Sequence, residues 1–375
     1  MTSTRPRPPY LLDDSPDGPV VALRLHTVDD ADRVVEQCRD PQSVAQTAVP
    51  APYSREDAIT FCTQVIPGGW EDGTEWGFAV DVDGRFGGTV TLRPERSGRA
   101  EVAYGAHPDV RGTGVMERAL RLLLEWGFDE QGLETVVWYA NRGNFPSRRL
   151  AWKVGVRVEG TLRRYLRQRE ETYDAWVGTL LAGDPREPAT PWLEVPRVES
   201  PRLPIRLRAF RESDVPRIVE ACTDLDTSGW LSGVVADYDE AAAYDDILRA
   251  REGAAAGTSL PMAVAATDDD RLLARVSIFD LSTVRRCGEL GYWVHPAERG
   301  TGVATEAVRL LLRHALVPEE DGGLGLERVT AHAAVANTAS RRVLEKAGMR
   351  ELCVESRATR TRDGLADAAL YELTV

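Results

Sequence analysis

In "VMERALRLLLEWGF" apolar residues fall at Val115, Ala119, Leu122 and Leu123, the three-and-four spacing of a helix buried along one side. "VATEAVRLLLRHAL" repeats the pattern with Val303, Ala307, Leu310 and Leu311. Just upstream, "RAEVAYGAHP" and "CGELGYWVHP" change to a period of two. In the second, Glu289, Gly291 and Trp293 share one face of a strand, and Leu290, Tyr292 and Val294 the other. "LETVVWYAN" and "LERVTAHAAVAN" predict further strands rich in β-branched and aromatic residues. They precede helices from "SRRLAWKVG" and "SRRVLEKAG" that stop at Gly155 and Gly348. Each run reads strand, glycine loop, helix, strand, helix, the signature of a mixed α/β (α+β) sheet flanked by helices.

The two runs form a duplication. "VALRLHTVDDADRVVEQC" from Val21 matches "IRLRAFRESDVPRIVEAC" from Ile205, a shift of 184 residues. The shift is 188 between "HPDVRGTGV" at His107 and "HPAERGTGV" at His295, and 193 between Asn144 and Asn337. Drift that small, placed in loops, marks a repeated domain rather than a short-period array. The expected boundaries are 20–182 and 204–375. Between them lies a Pro-rich linker at 183–203, read as extended, and ahead of them a disordered tail at 1–19.

The chain has 375 residues, 43% of them hydrophobic and 28% charged, as in a soluble globular protein. A formal net charge of −13 argues against nucleic acid as a partner, because phosphate backbones call for clustered Lys and Arg. Five scattered cysteines without a C-x-x-C pair suit a reducing compartment and imply no metal site. No stretch has the length of a signal-peptide core or a membrane span, so no membrane partner is expected and the expected location is the cytoplasm.

Glycines between a strand and a helix let an anion reach the unpaired amides of the helix start, where the helix dipole favours negative charge. A triphosphate loop would need G-x-x-x-x-G-K-[ST], and neither copy has the lysine. A dinucleotide loop would need a third glycine, where Glu117 and Thr305 stand. What remains is R-x-x-G-x-A, complete in Arg299, Gly302 and Ala304, and met by Arg111 and Gly114 with Met116 in the last place.

This loop, with "ELGYWVHP" upstream and "NTASRRVLEKAGM" and "NFPSRRLAWKVGV" downstream, resembles the GNAT superfamily of N-acetyltransferases in its RimJ/RimL branch, over both domains. The resemblance implies a mostly antiparallel sheet whose fourth and fifth strands part to admit the pantetheine arm of acetyl-CoA, the acetyl donor. It implies that Arg111, Gly112, Thr113, Gly114, Val115 and Met116 hold the pyrophosphate in one copy, and Arg299, Gly300, Thr301, Gly302, Val303 and Ala304 in the other. Ala106 and His107, or Val294 and His295, would offer backbone groups to the arm, and Asn144 and Asn337 would bond its amides.

Transfer to an amine requires the free base, so a carboxylate must accept a proton. Glu101 and Glu289, on the strand before each loop, are the candidate bases, although each also reads as a solvated strand-face glutamate. Asp174 and Asp367 are second candidates that equally read as turn residues. Ser147 and Ser340 match the family's serine, which can hydrogen-bond the leaving sulfur. Each also reads as a helix N-cap. The helix after them carries no tyrosine, which leaves the acid of many relatives without a counterpart. Arg148, Arg149 and Lys153, with Arg341, Arg342 and Lys346, read either as a site for the coenzyme's 3′-phosphate or as a solvated face. Trp126, Trp138 and Trp152 read as core or cleft wall.

The expected activity is acetyl transfer from acetyl-CoA to a primary amine, protein N-terminal or small-molecule, by direct attack in a ternary complex. The expected state is a monomer whose two domains form a pseudo-dimer. The alternative keeps one copy as a binding module, or the whole chain as an acyl-CoA sensor without turnover. Trp152 and Met116 in the first copy, and "ELCVES" in the second, depart from the family's pattern.

Overall fold

The computed structural model describes residues 7–16, 18–231 and 237–375 and separates the two runs into units at Met1–Ala189 and Thr190–Val375. In the first unit the strands are Leu11–Asp13 (β1), Val21–Arg24 (β2), Trp76–Val82 (β3), Arg85–Pro94 (β4), Arg99–Ala106 (β5), Thr135–Asn141 (β6), Arg157–Gln168 (β7) and Glu171–Leu181 (β8). Its helices are Ala31–Arg39 (α1), Pro41–Gln46 (α2), Arg55–Thr60 (α3), Ile66–Asp72 (α4), Val115–Glu125 (α5) and Phe145–Lys153 (α6). They surround one sheet of order β1-β2-β3-β4-β5-β6-β8-β7.

The second unit repeats the plan. Its strands are Val198–Glu199 (β9), Ile205–Arg208 (β10), Leu260–Ala266 (β11), Leu272–Ser282 (β12), Cys287–Val294 (β13), Arg328–Ala334 (β14), Arg350–Thr361 (β15) and Gly364–Thr374 (β16). The helices are Val215–Thr223 (α7), Leu225–Ser228 (α8), Glu240–Ala256 (α9), Val303–Leu316 (α10) and Thr338–Ala347 (α11). The order β9-β10-β11-β12-β13-β14-β16-β15 reproduces the first sheet. Every adjacent pair is antiparallel except β5 with β6 and β13 with β14. The mixed, mostly antiparallel sheet expected from the sequence is present twice.

The apolar periods explain which faces are covered. Val303, Ala307, Leu310 and Leu311 of α10 are all buried, in one cluster with Val276 and Ile278 of β12. On α5 the buried stripe is Val115, Met116, Ala119, Leu120, Leu123 and Leu124, and Leu122 is only half-buried. The stripe sits slightly around the helix from the expected one, because four-residue neighbours such as Leu120 and Leu124 line up on the sheet side. Fully burying each such leucine stabilises the fold by about 1.5–3 kcal/mol.

Two expectations outside the repeat need correction. The tail at 1–19 includes an edge strand, since β1 pairs with β2 from Leu11↔Leu23 to Asp13↔Val21. Arg118 of α5 fastens it, with Nε 2.6 Å from Asp13 Oδ2 and Nη1 2.6 Å from the Pro19 carbonyl. Residues 1–6 and 17 lie outside the described residues. The stretch 183–203 is not a free extended linker either. Arg186 stacks its guanidinium 4.2 Å from the Phe128 ring and bonds the Leu181 and Ala182 carbonyls of its own unit. Leu193, Val195, Val198 and Leu203 pack on the second core, and Ser200 Oγ donates to Glu306 Oε1 at 2.7 Å. Prolines remove donors and break local periods, but these contacts are made at a distance by side chains.

Candidate functional site

The parallel pair opens in both sheets. β5 and β6 are registered from Arg99↔Thr135 to Val102↔Trp138 and part there, while β5 stays paired with β4 as far as Ala106↔Gly88 and β6 with β8 as far as Asn141↔Ala175. β13 and β14 part after Glu289↔Thr330, although β13 follows β12 as far as Val294↔Ala274. The facing edges beyond these points hold main-chain groups that no neighbouring strand takes up. Such groups need a partner, and an extended ligand carrying amides is one way to supply it.

At the end of each opened strand stands the glycine loop. Gly112 and Gly114 have φ of 76° and 85°, and Gly300 and Gly302 have 77° and 89°. These are left-handed values that glycine adopts without a Cβ penalty. A Cβ at Gly112, Gly114 or Gly300 would meet no heavy atom within 4 Å, and at Gly302 only Leu203 Cδ1 at 4.0 Å. The space is therefore open on the side a ligand would approach. Thr113 and Thr301 turn their hydroxyls inward, each donating to a loop carbonyl at 2.7 Å. The first amides to bond back are Glu117 and Arg118, to the Gly114 carbonyl, and Glu306, to the Gly302 carbonyl. Val115, Met116, Val303 and Ala304 precede them, so their amides face the loop's open side. Met116 is buried beneath Gly88, so the large residue at this place does not obstruct the cradle. Both cradles fit a diphosphate.

The arginine of each loop does something the sequence did not suggest. Arg111 Nη2 lies 2.6 Å from Asp40 Oδ2 and 3.0 Å from Ser43 Oγ, at the cap of α2. Arg299 repeats this with Asp224, the cap of α8, and with Thr227 Oγ1 at 2.6 Å. Each guanidinium ties the loop to the helix corner that borders the site, and its charge is answered by a carboxylate there. The two His-Pro sites are equally structural. His107 Nε2 is 3.0 Å from Glu36 Oε2 and His295 Nε2 is 2.9 Å from Glu220 Oε2, while each Nδ1 accepts an amide two residues on. Their own amides donate to the Gly87 and Leu273 carbonyls, both at 2.9 Å. The histidine N–H groups are thus already used, which leaves Ala106 and Val294 as the nearer backbone positions along the gap.

The serines are not the caps. Asn144 Oδ1 accepts from Ser147 N at 3.2 Å and Asn337 Oδ1 from Ser340 N at 3.0 Å, so each asparagine caps its helix and has committed one lone pair of its side-chain oxygen. The amide nitrogen and the second lone pair of that oxygen are left for a ligand. The serine hydroxyls meet tyrosines from the opened strands: Ser147 Oγ donates to Tyr104 OH at 3.0 Å, and Ser340 Oγ and Tyr292 OH are 2.8 Å apart. Each tyrosine also donates to its serine's carbonyl, at 2.9 and 3.1 Å. Burial pushes the Tyr104 phenol upward and holds Tyr292 at about 12, so both are neutral donors. The absence of a tyrosine on α6 and α11 had left the acid position without a counterpart. A tyrosine beside each serine comes instead from β5 and β13, and its repetition in "VAYGAHP" and "LGYWVHP" was the signal available.

Glu101 and Glu289 each lie against a basic side chain, but not the same one. Arg93 of β4 reaches Glu101 Oε1 at 3.0 Å and Glu75 Oε1 at 3.1 Å. In the second unit His332 of β14 stands between Glu289 Oε1, 2.8 Å from Nδ1, and Glu355 Oε2, 2.9 Å from Nε2. Asp174 and Asp367 lie within β8 and β16 rather than in turns, each accepting the amide of an arginine at positive φ in the neighbouring strand, Arg164 of β7 at 2.8 Å and Arg357 of β15 at 2.9 Å. Much of the basic cluster is engaged as well. Arg148 stacks on Trp176, Lys153 Nζ is 2.7 Å from Glu117 and Arg341 is 2.9 Å from Glu351. Trp126 packs among Trp70, Trp76 and Phe78, and Trp138 is buried with Nε1 3.3 Å from Ser147 Oγ. Among the described residues no group of three or more His, Cys, Asp or Glu is arranged to hold a metal ion, and no helix is long and apolar enough to cross a membrane.

The acetyltransferase (GNAT) domain family matches the chain twice, over residues 21–157 and 205–350. The chain is similar to a putative ribosomal N-acetyltransferase, YdaF, of Bacillus subtilis (strain 168), with 40% identity over 97 residues, covering 26% of this chain and 47% of that protein. It is similar to the probable N-acetyltransferase YjcK of the same organism, 40% identical over 81 residues and covering 21% and 42%. The chain spans a little under half the length of these curated relatives. Among solved structures it resembles Mycobacterium smegmatis RimJ in complex with CoA-disulfide, with 23% identity, a TM-score of 0.43 and coverage of 48% of this chain and 87% of that one.

Proposed function

The chain belongs to the GNAT acetyltransferase family in both of its halves, and from that premise we propose that each unit binds acetyl-CoA and passes the acetyl group to a primary amine by direct attack. One observation carries the reading. In each unit the parallel strands separate, and the opened strand leads into a loop whose two left-handed glycines open the start of a helix. A thioester arm in the gap and a diphosphate on the helix start require that combination.

In this reading the amides of Val115 and Met116, or Val303 and Ala304, hold the diphosphate, and the unpaired edges of β5 and β13 near Ala106 and Val294 align the arm. Glu101 and Glu289 accept the proton that the amine must lose. The Tyr104–Ser147 and Tyr292–Ser340 pairs supply a hydroxyl proton to the departing sulfur, for which a neutral donor suffices because a thiol's ordinary value is about 8.5. The acceptor is a primary amine, a protein N-terminus or a small molecule. The five cysteines are free thiols, three of them buried, which suits the cytoplasm.

Calorimetry with acetyl-CoA tests the binding. The full chain should take up two equivalents, and Gly114→Glu or Gly302→Glu one each. A chain that binds none, or variants that still bind two, would overturn the reading. Mass spectrometry of a lysate treated with labelled acetyl-CoA and the protein would then identify the amines.

A further inference from the structure

The two candidate bases are held by analogous arrays built from different residues. Glu101–Arg93–Glu75 in the first unit becomes Glu289–His332–Glu355 in the second. The register shows how the cation changed sides. Arg93 pairs with Glu101 across β4 and β5, and the same place opposite Glu289 on β12 holds Phe279. The second unit supplies its cation from β14, on the other flank, where the first unit has Tyr139 at the corresponding shift of 193. That tyrosine stacks on Tyr165 with ring centroids 5.0 Å apart.

His332 has carboxylate oxygens against both ring nitrogens. An ionised carboxylate only accepts, so both nitrogens must carry protons for both bonds to exist, and the ring is an imidazolium. The charged neighbours on the packed elements support this. β13 contributes Glu289 and β15 contributes Glu355. On β16 the register partner of His332 is Leu370; the next charges there are Glu372, taken by Arg328 and Arg350, and Asp367, which accepts the Arg357 amide. Burial alone would depress the histidine, yet the hydrogen bonds and charge of Glu289 and Glu355 raise it above the ordinary value.

We infer that His332 is a positioning residue for Glu289: its doubly protonated ring fixes the carboxylate at the mouth of the β13–β14 gap, and losing one ring proton releases it. This rests on the transfer reading for Glu289 itself. The arginine in the first unit keeps its charge at every working pH, so the two units differ in their response. As pH rises through the raised value of His332, the second unit loses its aligned base. The first unit has no such limb.

Two measurements test this. In the Gly114→Glu chain, where only the second unit turns over, kcat for an acceptor amine should fall on the alkaline side. His332→Gln should lower kcat roughly 10- to 100-fold and remove that limb while the KM for acetyl-CoA stays put. His332→Arg should restore rate and flatten the profile, matching the Gly302→Glu chain that reports the first unit. An unchanged kcat and pH profile in His332→Gln would overturn the inference. Nitrogen-15 NMR of the imidazoles, assigned with His332→Gln, needs no turnover and separates failure here from failure of the transfer reading. The His332 midpoint should lie above that of an ordinary histidine and fall in Glu289→Gln or Glu355→Gln. A midpoint at the ordinary value that neither variant moves would sink the inference even if the enzyme is active.

Discussion

Replacing Gly114 by alanine separates the proposed role of the loop from its fold. The residue has φ of 85°, and its absent Cβ would meet nothing within 4 Å. Gly84, in the β3–β4 turn, offers a matched control, with φ of 84° and the same empty surroundings. In both, alanine must adopt the left-handed region at a cost of about 1–2 kcal/mol, so the two variants should lose similar stability in thermal melts. They should differ in binding. At Gly114 the new methyl projects into the space where a diphosphate would contact the first amides of α5. If it displaces two charge-assisted hydrogen bonds of about 1.5–3 kcal/mol each, affinity falls by about 3–6 kcal/mol, roughly 10²- to 10⁴-fold. Calorimetry in a Gly302→Glu background isolates the first unit. Equal acetyl-CoA affinity in Gly114→Ala and Gly84→Ala would refute the placement of the diphosphate.

Two further outcomes follow from buried groups. His26 is pushed down to about 4 by burial, while its ordinary value is 6.5, so the unfolded chain takes up this proton at higher pH than the folded one. The stability from the neutral ring is therefore complete above pH 6.5 and lost as pH falls towards 4, by about 3 kcal/mol. His26→Phe, the residue the second unit has there as Phe210, should remove that share of the acid sensitivity. Hydrogen exchange of first-unit core amides measures it, and an equal acid loss in both chains would refute the assignment. Ser340→Ala and Tyr292→Phe in a Gly114→Glu background should each lower kcat about tenfold or more, with little change in acetyl-CoA affinity. Because Asn337 makes the cap, Ser340→Ala should cost only about 1 kcal/mol of stability, read by denaturant titration. Unaltered kcat in both would leave the pair a structural one.

The features legible in the sequence are those carried by short-range pattern. The period-two runs around Glu289 and Leu290, the period of α10 and the glycines of both loops follow from neighbours within a few residues, and the duplication doubled each signal. What escaped reading is made by partners far apart in the chain. Arg118 orders β1 across 105 residues and Arg111 reaches Asp40 across 71, so neither local period nor composition announces the contact. The alternative of a serine cap failed more locally. "N-x-x-S" fits a cap at either residue, and backbone geometry placed it on Asn144 and Asn337. His332 sits in a strand whose pattern shows only that its side chain faces away from the core. What makes it more than a surface histidine is the carboxylate on each side, supplied by two other strands.

Comparing the copies position by position divides the site into two parts. The glycine cradle, the loop arginine with its capping aspartate, the His–Glu pair behind the loop and the Tyr–Ser pair recur with nearly the same distances. All of them border the gap or the helix start where the proposed donor would lie. Within the loop the large change is Met116 to Ala304, and the Met116 side chain is buried beneath Gly88; Arg93 to Phe279, Tyr139 to His332, His26 to Phe210 and Leu162 to Glu355 lie away from the glycines, Arg93, His332 and Glu355 in the arrays that hold the two glutamates and His26 against Thr89 of β4. A duplicated domain that had simply lost function would accumulate change in the cradle as readily as elsewhere. Keeping the glycines and their surrounding contacts in both copies, while the groups that hold the two glutamates are exchanged, is the pattern that the proposed common donor and different working conditions at the acceptor would produce.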